Sequence, residues 1–194
     1  MKNNIRIHIL SIIAIFIVSI LEVKAQNYIY FGDNQYESTN TWKFNTPMGA
    51  GANCYLDATV SKAPNNGGYL MLSTSDAHFD FQYIGGQVFV FLEDGSRIVC
   101  NDKGIRDRVN DRAISLYYFT AAEIETLKIK NIVRIRFTIM NKNVPAGMAG
   151  AGNYSVDLQG DSSFKTSGTF PDTYSSWDTV LPKTSEEIAK LFDD

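Results

Sequence analysis

HFDFQYIGGQVFVFLEDGSRIVCN, residues 78–101, decides the fold. Apolar and polar residues alternate from His78 to Tyr83, and further strand-length runs, Val88–Leu92 wholly apolar, follow Gly85-Gly86 and flank Asp94-Gly95. Period-two alternation broken by glycine-containing dipeptides is the pattern of short antiparallel strands joined by tight hairpins. Read as two-residue loops, the dipeptides predict strands His78–Ile84, Gln87–Glu93 and Ser96–Asn101. That register pairs Tyr83 with Val88, Phe81 with Val90 and Phe79 with Leu92, an apolar face that belongs against the core. The opposite face pairs Gln82 with Phe89, Asp80 with Phe91 and His78 with Glu93. The second turn sets Phe91 against Ile98 and Phe89 against Cys100.

The same logic extends outward. Cys54, Leu56, Ala58 and Val60 alternate with Tyr55, Asp57 and Thr59, and the turn-forming run Pro64–Gly68 separates them from a strand over Tyr69–Ser73. Further strands are predicted at Ala113–Phe119, Ile132–Met140 and Asn153–Leu158. In Ile132–Met140, Val133, Ile135, Phe137 and Ile139 share one face and Arg134 and Arg136 the other. Thr120 with Glu123, and Thr184 with Glu187, have capping-box spacing. They open helices at about 121–130 and 184–193, the second with Ile188, Leu191 and Phe192 on its apolar side. The first is short for a parallel crossover. The expected class is therefore mainly β, an antiparallel sandwich or curved sheet carrying two short helices. Asp102–Arg112, with charges of both signs, reads as a solvated loop, and Pro145–Gly152 reads as a flexible one. Residues 159–181 read as short edge strands or coil. Met48–Asn53 and Met148–Asn153 echo each other, which glycine and alanine bias explains without a duplication.

The start of the chain has a different character. Lys2 and Arg6 precede the uncharged run Ile9–Leu21 and then Val23-Lys24-Ala25, the pattern of a secretory signal peptide over residues 1–25. The run falls short of the ~20 apolar residues that span a bilayer. The expectation is an exported protein, periplasmic or extracellular and without a transmembrane anchor, with one domain over residues 26–194. The full chain of 194 residues carries a formal charge of −3. Neither a basic excess nor a basic stripe is present, which argues against nucleic acid as a partner.

No catalytic set emerges, and no cofactor or metal is implied. His78 is the one histidine beyond residue 25, so any Ser-His-Asp or Cys-His arrangement would depend on it. Asp76, His78 and Asp80 alternate and would share a strand face, yet one imidazole and two carboxylates make a poor zinc set. Glycine-rich stretches at 49–51 and 147–152 lack a phosphate loop's lysine and setting. Two function classes remain: a non-catalytic β module binding a glycan, a peptide or an envelope protein, and a small glycan or peptide hydrolase using carboxylates or His78. The first takes its candidate site from the mixed face of the 78–101 meander, where Phe89 and Phe91 offer contact area and His78, Asp80 and Gln82 offer hydrogen bonds. Cys54 and Cys100 both fall in predicted strands. Disulfides persist in exported proteins, so the two form either a bridge or a pair of buried thiols. N-terminal sequencing of the protein from its native host should begin at Gln26; an intact Met1 in the exported fraction would refute cleavage.

Overall fold

The computed structural model describes residues 27–31, 33–49, 52–143, 152–167 and 174–193. The strands are β1 (Asn27–Phe31), β2 (Asn34–Ser38), β3 (Trp42–Gly49), β4 (Ala52–Lys62), β5 (Gly68–Thr74), β6 (Gln82–Leu92), β7 (Arg97–Cys100), β8 (Arg106–Val109), β9 (Arg112–Phe119), β10 (Ile132–Asn141), β11 (Gly152–Leu158), β12 (Asp161–Ser167) and β13 (Tyr174–Val180). The helices are α1 (Ala121–Leu127) and α2 (Thr184–Asp193). Eleven strands form one antiparallel sheet in the order β7-β6-β10-β11-β3-β4-β5-β9-β8; the β1–β2 hairpin joins it where Ser38 pairs with Ser61 of β4. β12 and β13 pair separately as a two-stranded sheet, within the segment read as edge strands or coil.

Period-two alternation selects the core. Cys54, Leu56, Ala58 and Val60 of β4, Leu70 and Leu72 of β5, Val88, Val90 and Leu92 of β6, and Ile135, Phe137 and Ile139 of β10 all lie buried in one cluster. Ile124 and Leu127 of α1 and Ile188 of α2 complete it, so both helices pack on the inner face of the curved sheet. The Thr120–Glu123 capping box forms as predicted, with the Glu123 amide donating to Thr120 Oγ1 and the Thr120 amide donating to the Glu123 carboxylate. The second box does not form. Thr184 Oγ1 instead accepts the Ile132 amide at 2.7 Å, and Glu187 Oε2 accepts the Asn40 amide at 3.1 Å. Those two residues tie α2 to β10 and to the segment before β3.

The central hairpin reading is corrected. Gly85-Gly86 is no turn: β6 runs unbroken through it, and the segment before Gln82 is a loop rather than a strand. The pairs Tyr83–Val88, Phe81–Val90 and Phe79–Leu92 therefore do not exist. At the glycines one residue of β10, Phe137, faces three of β6, Gly86 to Val88, since Arg136 pairs with Phe89 and Thr138 with Gly85. Gly86 takes φ +74°, which a bulge tolerates only with glycine. A Cβ on Gly85 would come within 2.8 Å of Met140 Sδ and of the Tyr83 ring. The dipeptide is required by a bulge and a close approach, not by a chain reversal. The next turn spans three residues, with Ser96 O accepting the Leu92 amide and Gly95 at φ +82°. Val90 consequently faces Ile98 and Phe91 faces Arg97, one residue off the two-residue-loop register. An extra residue on β10 between Ile132 and Arg134 also gives Ile132 the core position expected of Val133.

Asp102–Arg112 is likewise no mere solvated loop. It holds β8 and a tight turn to β9 through Asn110 (φ 49°) and Asp111 (φ 61°), and its side chains close the sheet's weak point. β7 covers only residues 88–91 of β6, leaving 82–87 with one open edge. Carbonyls of alternate residues point the same way along a strand. Those of Gln82, Ile84 and Gly86 are met by side chains from β8 and β9: Arg108 donates to Gln82 O at 2.9 Å, Ser115 Oγ to Ile84 O at 2.7 Å, Arg106 Nε to Ile84 O at 3.2 Å, and Tyr117 OH to Gly86 O at 3.3 Å. Gly86 N donates to Asp102 Oδ2 at 2.8 Å. The sheet thus curls until β9 meets β6, bridged by side chains instead of a ladder. Ser115→Ala should cost roughly 1–3 kcal/mol by depriving a buried carbonyl of its shortest partner, while Tyr118→Phe, whose hydroxyl is exposed, should cost far less; urea melts of the two variants check this.

Residues 1–25, read as a signal peptide, lie outside the described residues, as do most of Pro145–Gly152 and parts of Met48–Asn53 and Met148–Asn153. Among the described residues no helix is long and apolar enough to cross a membrane.

Candidate functional site

The candidate residues part company once β6 is continuous. Asp76, His78 and Asp80 occupy the loop between β5 and β6, not a strand face. Asp76 Oδ2 accepts the Tyr55 amide at 2.6 Å, a structural contact that anchors this loop to β4. His78 is exposed. Asp80 lies 3.5 Å from Arg108, whose guanidinium also donates to Ala77 O and Phe79 O and so holds the loop's shape. Gln82 is buried, and its Oε1 accepts the Phe79 amide at 3.3 Å. The cross-strand pairs that would have put His78, Asp80 and Gln82 beside Phe89 and Phe91 are absent. Among the described residues no group of His, Cys, Asp and Glu could hold a metal ion.

Phe89 and Phe91 remain together, on the outer face of β6 and half-buried, with Val88, Val90 and Leu92 turned inward. Their neighbours come from β7 and β10. Phe91 stands opposite Arg97 on one side and Arg134 on the other; Phe89 stands opposite Val99 and Arg136. The guanidinium carbons of Arg97 and Arg136 lie 5.4 and 5.9 Å from the Phe89 ring centroid, within the range of a cation–π contact. Farther across the sheet Arg134 forms a two-point ion pair with Asp157, and Ser155 stands opposite Arg136. Thr138 Oγ1 donates to Asn153 Oδ1 at 2.7 Å on the same face. Both helices spend their apolar residues on the inner core, so neither lies over this array.

The described arginines divide into two sets. Arg106 pairs with Asp102, Arg108 with Asp80, Arg112 with Asp57, and Arg134 with Asp157. Arg97 and Arg136 are exposed and, among the described residues, have no carboxylate partner; the Phe89 ring is what they touch. The turn beside them is held firmly: hydrogen bonds from the Asn131 side chain and amide keep the Glu93 carboxyl below the usual range, and Lys130 does the same for Asp94. The sequence already placed Arg134 and Arg136 on one face of β10. It gave no sign that this face adjoins Phe89, because pairing between strands so distant in sequence leaves no local signal.

Two concavities lie elsewhere. One, an apolar groove between β1 and β8, is floored by Met71, Ile114 and Leu116. The other is lined by Thr41, Trp42, Lys43, Gln159 and Glu187, and the buried Trp42 indole N–H has no partner among the described residues. No protein-family model, curated protein or solved structure matches the chain.

Cys54 and Cys100 are buried on β4 and β7 and are free, so the bridge considered from their strand positions is not formed. Burial pushes both thiols up to about 12, with nearby Asp76 adding to the effect at Cys54 and Glu123 at Cys100. The thiolate is the reactive species. The folded protein at pH 8 should therefore resist alkylation, and the denatured protein should take two labels without reductant. Absence of labelling after denaturation would mean a bridge.

Proposed function

We propose that the chain is an exported, non-catalytic binding module, periplasmic or extracellular, that takes a glycan, a peptide or an envelope protein on the outer face of β7, β6 and β10. The observation that carries this reading is the Phe89 ring flanked by Arg97 and Arg136, two cations without carboxylate partners among the described residues, with Phe91 beside them. Aromatic rings and arginines are the side chains that most often dominate contact energy at recognition surfaces. Phe89 and Phe91 are the two members of the sequence-derived candidate set that this reading retains; His78, Asp80 and Gln82 are assigned to the β5–β6 loop and its junction with β6. A hydrolase needs a base held beside an orienting group. His78 has no hydrogen-bond partner among the described residues, and no observation favours that alternative.

Probing glycan and peptide arrays with the mature chain and with Phe89→Ala and Phe91→Ala tests the proposal. Binding without release of products is expected, and each substitution should weaken it at least tenfold. Because both rings are half-exposed, the melts should fall by less than the about 3–5 kcal/mol that truncating a buried phenylalanine costs. Turnover of a bound glycan or peptide, or binding indifferent to both substitutions, would overturn the reading.

A further inference from the structure

We infer that the partner of this face is a linear anionic polysaccharide bearing carboxylates, gripped by Arg97 and Arg136. The inference rests on the binding reading above and adds the ligand's chemistry to it. A guanidinium presents a planar fork of donors that matches a carboxylate in two-point geometry. In Arg106, Arg112 and Arg134 that capacity is already directed at carboxylates of this chain. In Arg97 and Arg136 it is not, and the Phe89 ring limits how far either guanidinium can wander.

Their spacing specifies more than a single ion. Arg97 projects from β7 opposite Phe91 and Arg136 from β10 opposite Phe89, so at the usual strand separation and rise their backbones stand about 12 Å apart. Two fixed cations at that distance suit a polymer carrying repeated negative charges. Around them the face offers what a sugar chain uses: Phe91 provides an apolar surface for a pyranose C–H face, and Ser155, Thr138 and Asn153 provide hydroxyl and amide groups on the adjacent strands. An extended peptide is recognised chiefly by adding to a strand edge or by filling pockets. Residues 89–91 of β6 are paired on both sides, with β7 and with β10, so a ligand lying over Phe89 and Phe91 meets side chains and not a free strand edge, which at this end of the sheet belongs to β7. The chain's own acidic excess would oppose a polyanion at long range, so binding should depend on these local cations and weaken with salt.

Isothermal titration of the mature chain at low salt, with polygalacturonate and alginate as probes, tests the inference. Methyl-esterified polygalacturonate serves as the uncharged counterpart and poly-L-glutamate as the peptide counterpart. The free acids should bind at least tenfold more tightly than the ester and than poly-L-glutamate, with affinity falling steeply as salt is raised. Arg97→Gln with Arg136→Gln should remove at least tenfold of the affinity while the thermal melt stays in place. Equal binding of acid and ester would overturn the anionic ligand yet leave the binding face standing if Phe89→Ala still weakens it. Tighter binding of poly-L-glutamate would overturn the polysaccharide class. Failure of both polyuronates to bind would overturn the inference outright, while the array experiment judges the binding module separately.

Discussion

The open edge of β6 at residues 82–87 is the constraint on which the rest of the structure depends. A strand buried in a core cannot leave a row of carbonyls unpaired, because each orphan costs about 1–3 kcal/mol. β7 is too short to cover this row. The partners come from the far end of the sheet order: Ser115 and Tyr117 of β9, Arg106 and Arg108 of β8, and Asp102 just before them. Satisfying the edge therefore requires the sheet to curl upon itself. That curling gathers residues from β3 to β11 and both helices into one core.

The same constraint separates the two faces of β6. Val88, Val90 and Leu92 are committed inward, and the helices that could have covered Phe89 and Phe91 are committed with them. The outer face is left to side chains from β7, β6, β10 and β11 in register. The bulge at Gly86 sets that register on one side, and the three-residue turn ending at Gly95 sets it on the other. A one-residue change in either would exchange the faces of a whole strand. The pairing of Phe89 with two arginines is thus a consequence of two glycines in left-handed conformations. Any ligand chemistry on this face inherits its geometry from them.

What was legible in the sequence was whatever depends on near neighbours. Strand alternation from Cys54 to Val60, the faces of β10 from Ile135 onward, the Thr120–Glu123 cap and the position of the terminal helix all follow from local periodicity. The errors share a cause, because a local signal has more than one global use. Gly85-Gly86 serves a hairpin or a bulge equally well. Thr184 and Glu187 have capping spacing, but β10 and Asn40 compete for the same oxygen atoms. The arginines of 102–112 balance the nearby acids in composition, yet Arg106, Arg108 and Arg112 reach 22 to 55 residues away for their partners. Of the candidate site, Phe89 and Phe91 could be read from alternation. Arg97 and Arg136 could not be joined to them without the β6–β10 and β6–β7 registers.

The fold turns on the continuity of β6 through Gly85-Gly86, and cross-strand nuclear Overhauser contacts in the protein test it most directly. An unbroken β6 predicts contacts from the Val90 methyls to Ile98 and to Ile135, with none between Val90 and Phe81. A Phe81–Val90 contact in place of the Val90–Ile135 one would mean that the chain reverses at the glycines, and would contradict both the fold and the outer face described above.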